Sequence, residues 1–435
     1  MQGRHVPTVR LLGRLGLFIV TLLGAAWVPA AARGATYYVR QSAPDDAGDG
    51  LTPATAWRHL ARLSGALQAG DTAYVGPGLY REELSLRNGG TLEHRITLVG
   101  DASGAHTGDP PGAVIVSGAE PVDSSIFRAS GDPGVWVADF AAFTVWGVVE
   151  MDGDQARYAR AVDTKQHAAD KLAEVDVVKQ LPSSFHYDDA TKRLWVHTSD
   201  GRVPSAHEIE LVERGTGISA VGKPAVVITG FTLRHQARAG ISFFNGADDG
   251  IAVANVSFGG HQGIEVTHSA RVGVYANVLF RNDNSGAYFL DHSNDGMAIG
   301  NVCYENVKGI RLGSESTGTL VAENVLFDNL ERGLSIEHAD RTSARRNRLV
   351  DNRSSQLLVI ESEYDSDENC FQSAAPDAVA ADFFASPADR WKTLADYRAA
   401  KGHDRRSTEG GCGSLPAKLD VHVLGKAPPD RARVL

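Results

Sequence analysis

One motif, Asn-Val-x-aromatic, returns at a nearly fixed interval and limits the fold more than anything else in this chain. It occurs at Asn255, Asn277, Asn301 and Asn324, with degraded copies at Asn347 and Asn369, so the steps are 22, 24, 23, 23 and 22 residues. A second Asn follows five residues later at Asn282, Asn306, Asn329 and Asn352. A Gly followed by an apolar residue then opens the next stretch, at Gly240, Gly263, Gly286, Gly309 and Gly333. Self-similarity at a period in the twenties is the signature of a solenoid. Such a stack offers an extended side surface, suited to long ligands.

The units are rich in Val, Ile, Phe, Gly and Asn. They lack the Leu-x-x-Leu-x-Leu spacing of leucine-rich repeats and the length and helix formers of helical repeats. Short apolar runs bounded by Gly, Asn and Asp read as short buried strands joined by tight turns. About three strands, at roughly 3.3 Å per residue, fit in one unit. The economical solution is a parallel β-helix with one repeat per coil. Asn at a fixed position predicts a ladder of stacked amides at a corner, with the Asn itself taking the left-handed conformation.

Two flanking segments extend the pattern. Near the start, Thr36 to Val39 is followed by the Asp- and Gly-rich loop Asp45 to Gly50, then Trp57, an amphipathic stretch to about Leu67, and the apolar run Thr72 to Val75. Near the end come Thr393 to Arg398 and Gly402-His403-Asp404. Together with the repeat, these segments resemble the right-handed parallel β-helix, or pectin-lyase-like, superfamily of secreted carbohydrate-active proteins. The resemblance implies an all-β, right-handed parallel β-helix with an N-terminal cap, an inserted antiparallel β subdomain and a C-terminal cap. It also implies a polysaccharide substrate.

The chain opens with Arg4, Arg10 and Arg14, then an apolar run from Leu15 to Val28 and small residues to Ala35. This reads as a secretory signal peptide over residues 1–35 and predicts a secreted or periplasmic protein. The run is short of the ~20 residues needed to span a bilayer, and no other segment could span one. Net charge is −10 and no basic run points to nucleic acid. Three cysteines do not make a disulfide framework. Cys303 fills the apolar slot of Leu279 and Leu326, and Cys370 and Cys412 are candidates to staple the tail to the last coil. The expected plan is residues 36–120 for the N-terminal cap and first coils, 121–214 for an inserted β subdomain, 215–370 for the repeats and 371–435 for a C-terminal cap. The chain is expected to act as a monomer.

Counting from each Gly assigns the faces. Residues one and three places later, such as Ile264 and Val266 or Ile310 and Leu312, are apolar and point inward. Residues two and four places later point outward. Adjacent coils then align Glu265, Tyr288, Arg311 and Ser335 in one outward row, and Lys308 and Arg332 in another. A third row, Asp291, His292, Glu315, Glu337 and His338, joins the outward Glu337 to residues just beyond the strand, where His268 also lies. Mixed carboxylates, cations and an aromatic on one face suit a sugar-polymer groove, although any solvated face is also polar. Glu265, His268, Tyr288, His292, Arg311 and His338 are the expected substrate contacts. Arginine and lysine would pair uronate carboxylates.

Three chemistries fit these residues. In β-elimination, Lys308 and Arg332 serve as base and as acid or neutraliser. That pair resembles the Lys and Arg of calcium-dependent β-helix lyases, and the resemblance implies calcium as cofactor, though no Glu-x-Glu precedes Lys308 at the family's spacing. In glycoside hydrolysis, Asp291 with Glu315, or Glu315 with Glu337, flank the bond as paired carboxyls. In uronate C5-epimerisation, Glu265 and His268 act near Tyr288 and Arg311. The rival of another class is a non-catalytic polysaccharide-binding or exopolysaccharide-assembly module. Elimination leads this order, on the Lys308 and Arg332 pair.

Overall fold

The computed structural model describes residues 34–155, 157–160, 174–374, 380–382, 389–422 and 424. The leader expected over residues 1–35 lies, but for Gly34 and Ala35, outside them. Every coil contributes one short strand to each of three sheets, and each sheet has 10 strands. A single coil runs Ile251–Val253, Val256–Phe258, Gln262–Thr267 through the first, second and third sheet in turn. Pairing between coils is parallel throughout the repeats, and the next coil repeats the path at Gly273–Tyr275, Val278–Phe280 and Ser285–Leu290.

The interior is one continuous apolar column. Ile264, Ala287, Ile310 and Leu334 stack along the third sheet, and Leu279, Cys303 and Leu326 along the second; all are at most 1% exposed. The inward and outward assignment read from the Gly positions therefore holds, and Cys303 is a buried core thiol. The recurring Gly has its own cause. A Cβ on Gly286 would lie 2.7 Å from the Gly309 carbonyl oxygen and 3.1 Å from the Cys303 sulfur, so the corner has no room for a side chain.

Both Asn series form buried ladders. Asn277 Nδ2 donates to Asn301 Oδ1 at 3.0 Å, and Asn301 Nδ2 to Asn324 Oδ1 at 3.0 Å. The second series repeats this from Asn282 to Asn306 at 2.9 Å and onward. The expectation that the ladder Asn is itself left-handed is corrected. The residue before it takes that conformation: Ala254, Ala276, Gly300, Glu323, Arg346 and Glu368 have φ between 50° and 67°. The turn bends one residue early so that each Asn can face the column and satisfy a strand-end carbonyl.

The ends are closed. At the start, Leu60, Leu63 and Leu67 of a short helical turn are fully buried against the first coil. At the end, the helix Leu394–Lys401 follows its N-cap Thr393, and the last rung, Asn369, bonds to Asp404 and to Ser407. Cys370 and Cys412 are disulfide-bonded. The tail beyond Cys412 packs on the outer face of the second sheet. Phe258, Phe280, Tyr304 and Phe327 stack there with centroids 4.8–5.2 Å apart, and Cys412, Val421 and Leu424 join that apolar cluster.

One coil is interrupted between the second and third sheets. The chain leaves after Val114–Ser117 and rejoins at Thr216–Ser219. Between them lie antiparallel pairings, among them the hairpin of Ser184–Asp188 with Arg193–His197. Its own core is built on Phe185, Tyr187, Leu194 and Leu211. No described helix is long and apolar enough to cross a membrane.

Candidate active-site face

The third sheet presents its outward residues as a strip. Register places Glu265, Tyr288, Arg311 and Ser335 side by side in successive coils, and Lys308 beside Arg332. At ~4.8 Å per strand the four coils span a few sugar lengths. The β-strand alternation fixes each direction, because the neighbours Ile310 and Leu312 must fill the column.

Charges on this strip are interlocked. Arg311 donates to Glu337 from Nε at 3.1 Å and from Nη2 at 2.7 Å, and its guanidinium lies 5.6 Å from the centre of the Tyr288 ring. Glu331 bridges Arg332 at 2.5 Å and Lys308 at 3.7 Å. Glu265 is only 4% exposed. It receives Arg238 at 2.8 Å and the Ser242 hydroxyl at 2.8 Å.

Two groups have displaced acidities. Burial, reinforced by the Arg311 guanidinium, pushes the Lys308 ammonium below its ordinary value of 10.5, against the pull of Glu331 and Glu337. Burial raises the Tyr288 phenol, with Arg311 opposing and Asp291, Glu265 and Glu337 adding to the rise. The lowered amine and the raised phenol stand one coil apart on the same face.

The expected third group divides. Glu337 lies on the strand, in register with Gly313, where Arg311 holds it. Asp291 and His338 stand one position further, and His292 and Glu315 two, on a left-handed corner shared by all four. The reason is the period of two: Glu337 keeps the outward direction of the sheet, while the corner turns the next residues toward the first sheet. His292 pairs with Glu315 at 3.4 Å and His338 with Glu361 at 3.3 Å. With Asn294, Thr317 and Asp340 these line a groove of about 550 Å³. His268, exposed, stands at its upstream end, its ring 6.1 Å from that of His292.

Arg238, Ser242, Phe244 and Glu331 join the face although sequence reasoning did not single them out. Arg238 and Glu331 precede their strands, where no alternation marks direction; Ser242 occupies the Glu265 row and was legible by register. Among the described residues, a converging trio of ligand atoms occurs at Glu150, Asp152 and His207 in the inserted subdomain. On the strip, the three carboxylates Glu265, Glu331 and Glu337 are each held by an arginine.

A family model described as periplasmic copper-binding protein (NosD) matches residues 197–371, which hold most of the coils. No curated protein sequence matches the chain. Among solved structures, XylC in complex with xylose is similar at 13% identity and a TM-score of 0.59, covering 80% of this chain and 68% of that one. A glycoside hydrolase is similar at 9% identity and a TM-score of 0.52, covering 80% of this chain and 95% of that one. Pectate lyase Pel9A matches at 10% identity over 78% of this chain and 70% of that one, with a TM-score of 0.43. At these identities the likeness speaks to fold: the chain is a right-handed parallel β-helix, and that architecture does not fix an activity.

Proposed function

We propose that this chain is an exported polysaccharide lyase that cleaves a uronate-containing polymer by β-elimination on the third sheet. The observation that carries this reading is Lys308, a half-buried amine lowered by its surroundings and set among Arg311, Arg332 and Tyr288. A lowered lysine keeps a larger unprotonated fraction near neutral pH and so serves as a general base. Its Nζ takes the proton from C5, next to the uronate carboxyl. The C–H electron pair becomes the C4–C5 double bond, the C4–O bond breaks, and the departing oxygen takes a proton. Tyr288 supplies that proton, since burial keeps the phenol protonated. Arg311 and Arg332 offset the negative charge that grows on the carboxyl as C5 loses its proton.

Calcium, implied by the resemblance to calcium-dependent lyases, does not fit the carboxylates of this strip, which are already engaged by arginine. The neutralising role falls to the two arginines. Export is supported by the leader pattern of residues 1–35 and by the similarity to a family described as periplasmic. Hydrolysis is less well supported. It needs two carboxyls converging on one bond, whereas Glu337 is held on the strip by Arg311 and Asp291 stands on the left-handed corner beyond its strand. Glu315 is turned into the corner groove against His292. Replacing Lys308 by alanine tests the reading. Unsaturated product should vanish while the protein stays folded; unchanged turnover would remove Lys308 from the mechanism.

A further inference from the structure

The outward positions of the third sheet carry cations in two consecutive coils. Lys308 and Arg311 stand in one and Arg332 in the next. Toward the N-terminal end, the Arg311 row continues through Tyr288 and Glu265 to Ser242. Toward the C-terminal end the register continues to Leu358, which is buried, and Ile360, which is partly exposed. One more cation, Arg238, borders the strip, and Glu265 occupies it at 2.8 Å. Counted together, Arg238, Lys308, Arg311 and Arg332 face the carboxylates of Glu265, Glu331 and Glu337. The strip is therefore close to charge balance: one cation is in excess with Lys308 protonated and none with Lys308 as the neutral base, so at most about one substrate carboxylate is attracted.

An extended polysaccharide lying along the helix axis places roughly one sugar against each ~4.8 Å coil. In a homopolyuronate every sugar carries a carboxylate. One would then face Glu265, and others would reach the C-terminal end of the strip, where the partly exposed outward residue is the apolar Ile360. Like charge and desolvation without a partner both act against that ligand. We infer that the substrate is a heteropolysaccharide whose uronates are isolated between neutral sugars. The uronate sits over Lys308, Arg311 and Arg332. One neutral neighbour packs on the Tyr288 ring and the other on the partly exposed Ile360. This inference rests on reading the third sheet as the lyase's substrate face.

Binding separates the two claims. The Tyr288→Phe variant, which removes the proton donor but keeps the ring and every charge of the strip, is titrated calorimetrically at physiological salt with two size-matched oligosaccharides. One is a homo-oligouronate and the other alternates uronate with neutral sugar. The alternating oligosaccharide should bind about 10-fold more tightly or better, and Glu265→Gln should narrow the gap by improving the homo-oligouronate. Equal or tighter binding of the homo-oligouronate, or no binding of either, overturns the inference. Preferred binding of the alternating ligand without unsaturated product from the unsubstituted protein would support this substrate class while sinking the elimination chemistry.

Discussion

Replacing Asn301 by alanine tests whether the amide ladders hold the coils together. Asn301 is fully buried. Its Oδ1 accepts from the Asn277 backbone N–H and from Asn277 Nδ2, both at 3.0 Å. Its Nδ2 donates to the Val274 carbonyl at 2.8 Å and to Asn324 Oδ1 at 3.0 Å. Alanine deletes all four bonds. At ~1 kcal/mol net for each buried bond the loss is about 4 kcal/mol, and orphaned donors that water cannot reach push it higher. The assay is urea unfolding followed by circular dichroism, with the slope held unchanged so that the midpoint reports stability. Arg271→Ala is the control. Its ion pair with Asp249 at 2.8 Å joins an exposed arginine to the coil before, and such pairs are worth less than about 1 kcal/mol. A loss below about 1 kcal/mol for Asn301→Ala would show that the ladder is replaceable and that apolar packing alone sets the stack.

Lys308→Met should lower turnover by roughly 10²- to 10⁴-fold, the contribution of a general base. It should not lower the melting temperature, because burial already disfavours the charged amine it removes. The rate should rise with pH as Lys308 loses its proton, with a midpoint below the ordinary 10.5. Stability should rise in the same direction: between the lowered folded value and the ordinary unfolded one, the unfolded chain binds more protons. Gly309→Ala should cost about 1–3 kcal/mol by overpacking, since its Cβ would lie 2.5 Å from the Gly333 carbonyl oxygen; wild-type thermal stability would refute this. Cys370→Ser opens a loop of 42 residues, worth about 4 kcal/mol in chain entropy. It should make the tail that covers Tyr304 and Phe327 the first site of limited proteolysis.

The coil register was legible because the Gly marks a fixed starting point and the six-residue strands of the third sheet are long enough for alternation to show. Ile310 and Leu312 had to face inward, so Arg311 had to face out. The three-residue strands of the second sheet carry less information. In Val302, Cys303 and Tyr304 all are apolar, and only the structure shows that Cys303 enters the column while Val302 and Tyr304 face the tail. Ion-pair partners were also hidden. Glu265 reaches back to Arg238 and Arg332 is held by its neighbour Glu331, choices made by turns of irregular length rather than by the repeat. Glu337, four places after Gly333, was legible as an outward strand residue, as the structure has it, but its pairing with Arg311 was not.

Following product spectra and reducing ends together, on pectic, alginate, glycosaminoglycan and xylan substrates with calcium or chelator, tests the central claim most directly. Elimination leaves a double bond conjugated to the carboxyl and so absorbs in the ultraviolet, whereas hydrolysis does not. The account predicts ultraviolet absorbance rising in step with reducing ends on a uronate-bearing polymer, undiminished by chelator and absent in Lys308→Ala. Reducing ends without absorbance would contradict it and move the chemistry to Asp291, Glu315 and Glu337.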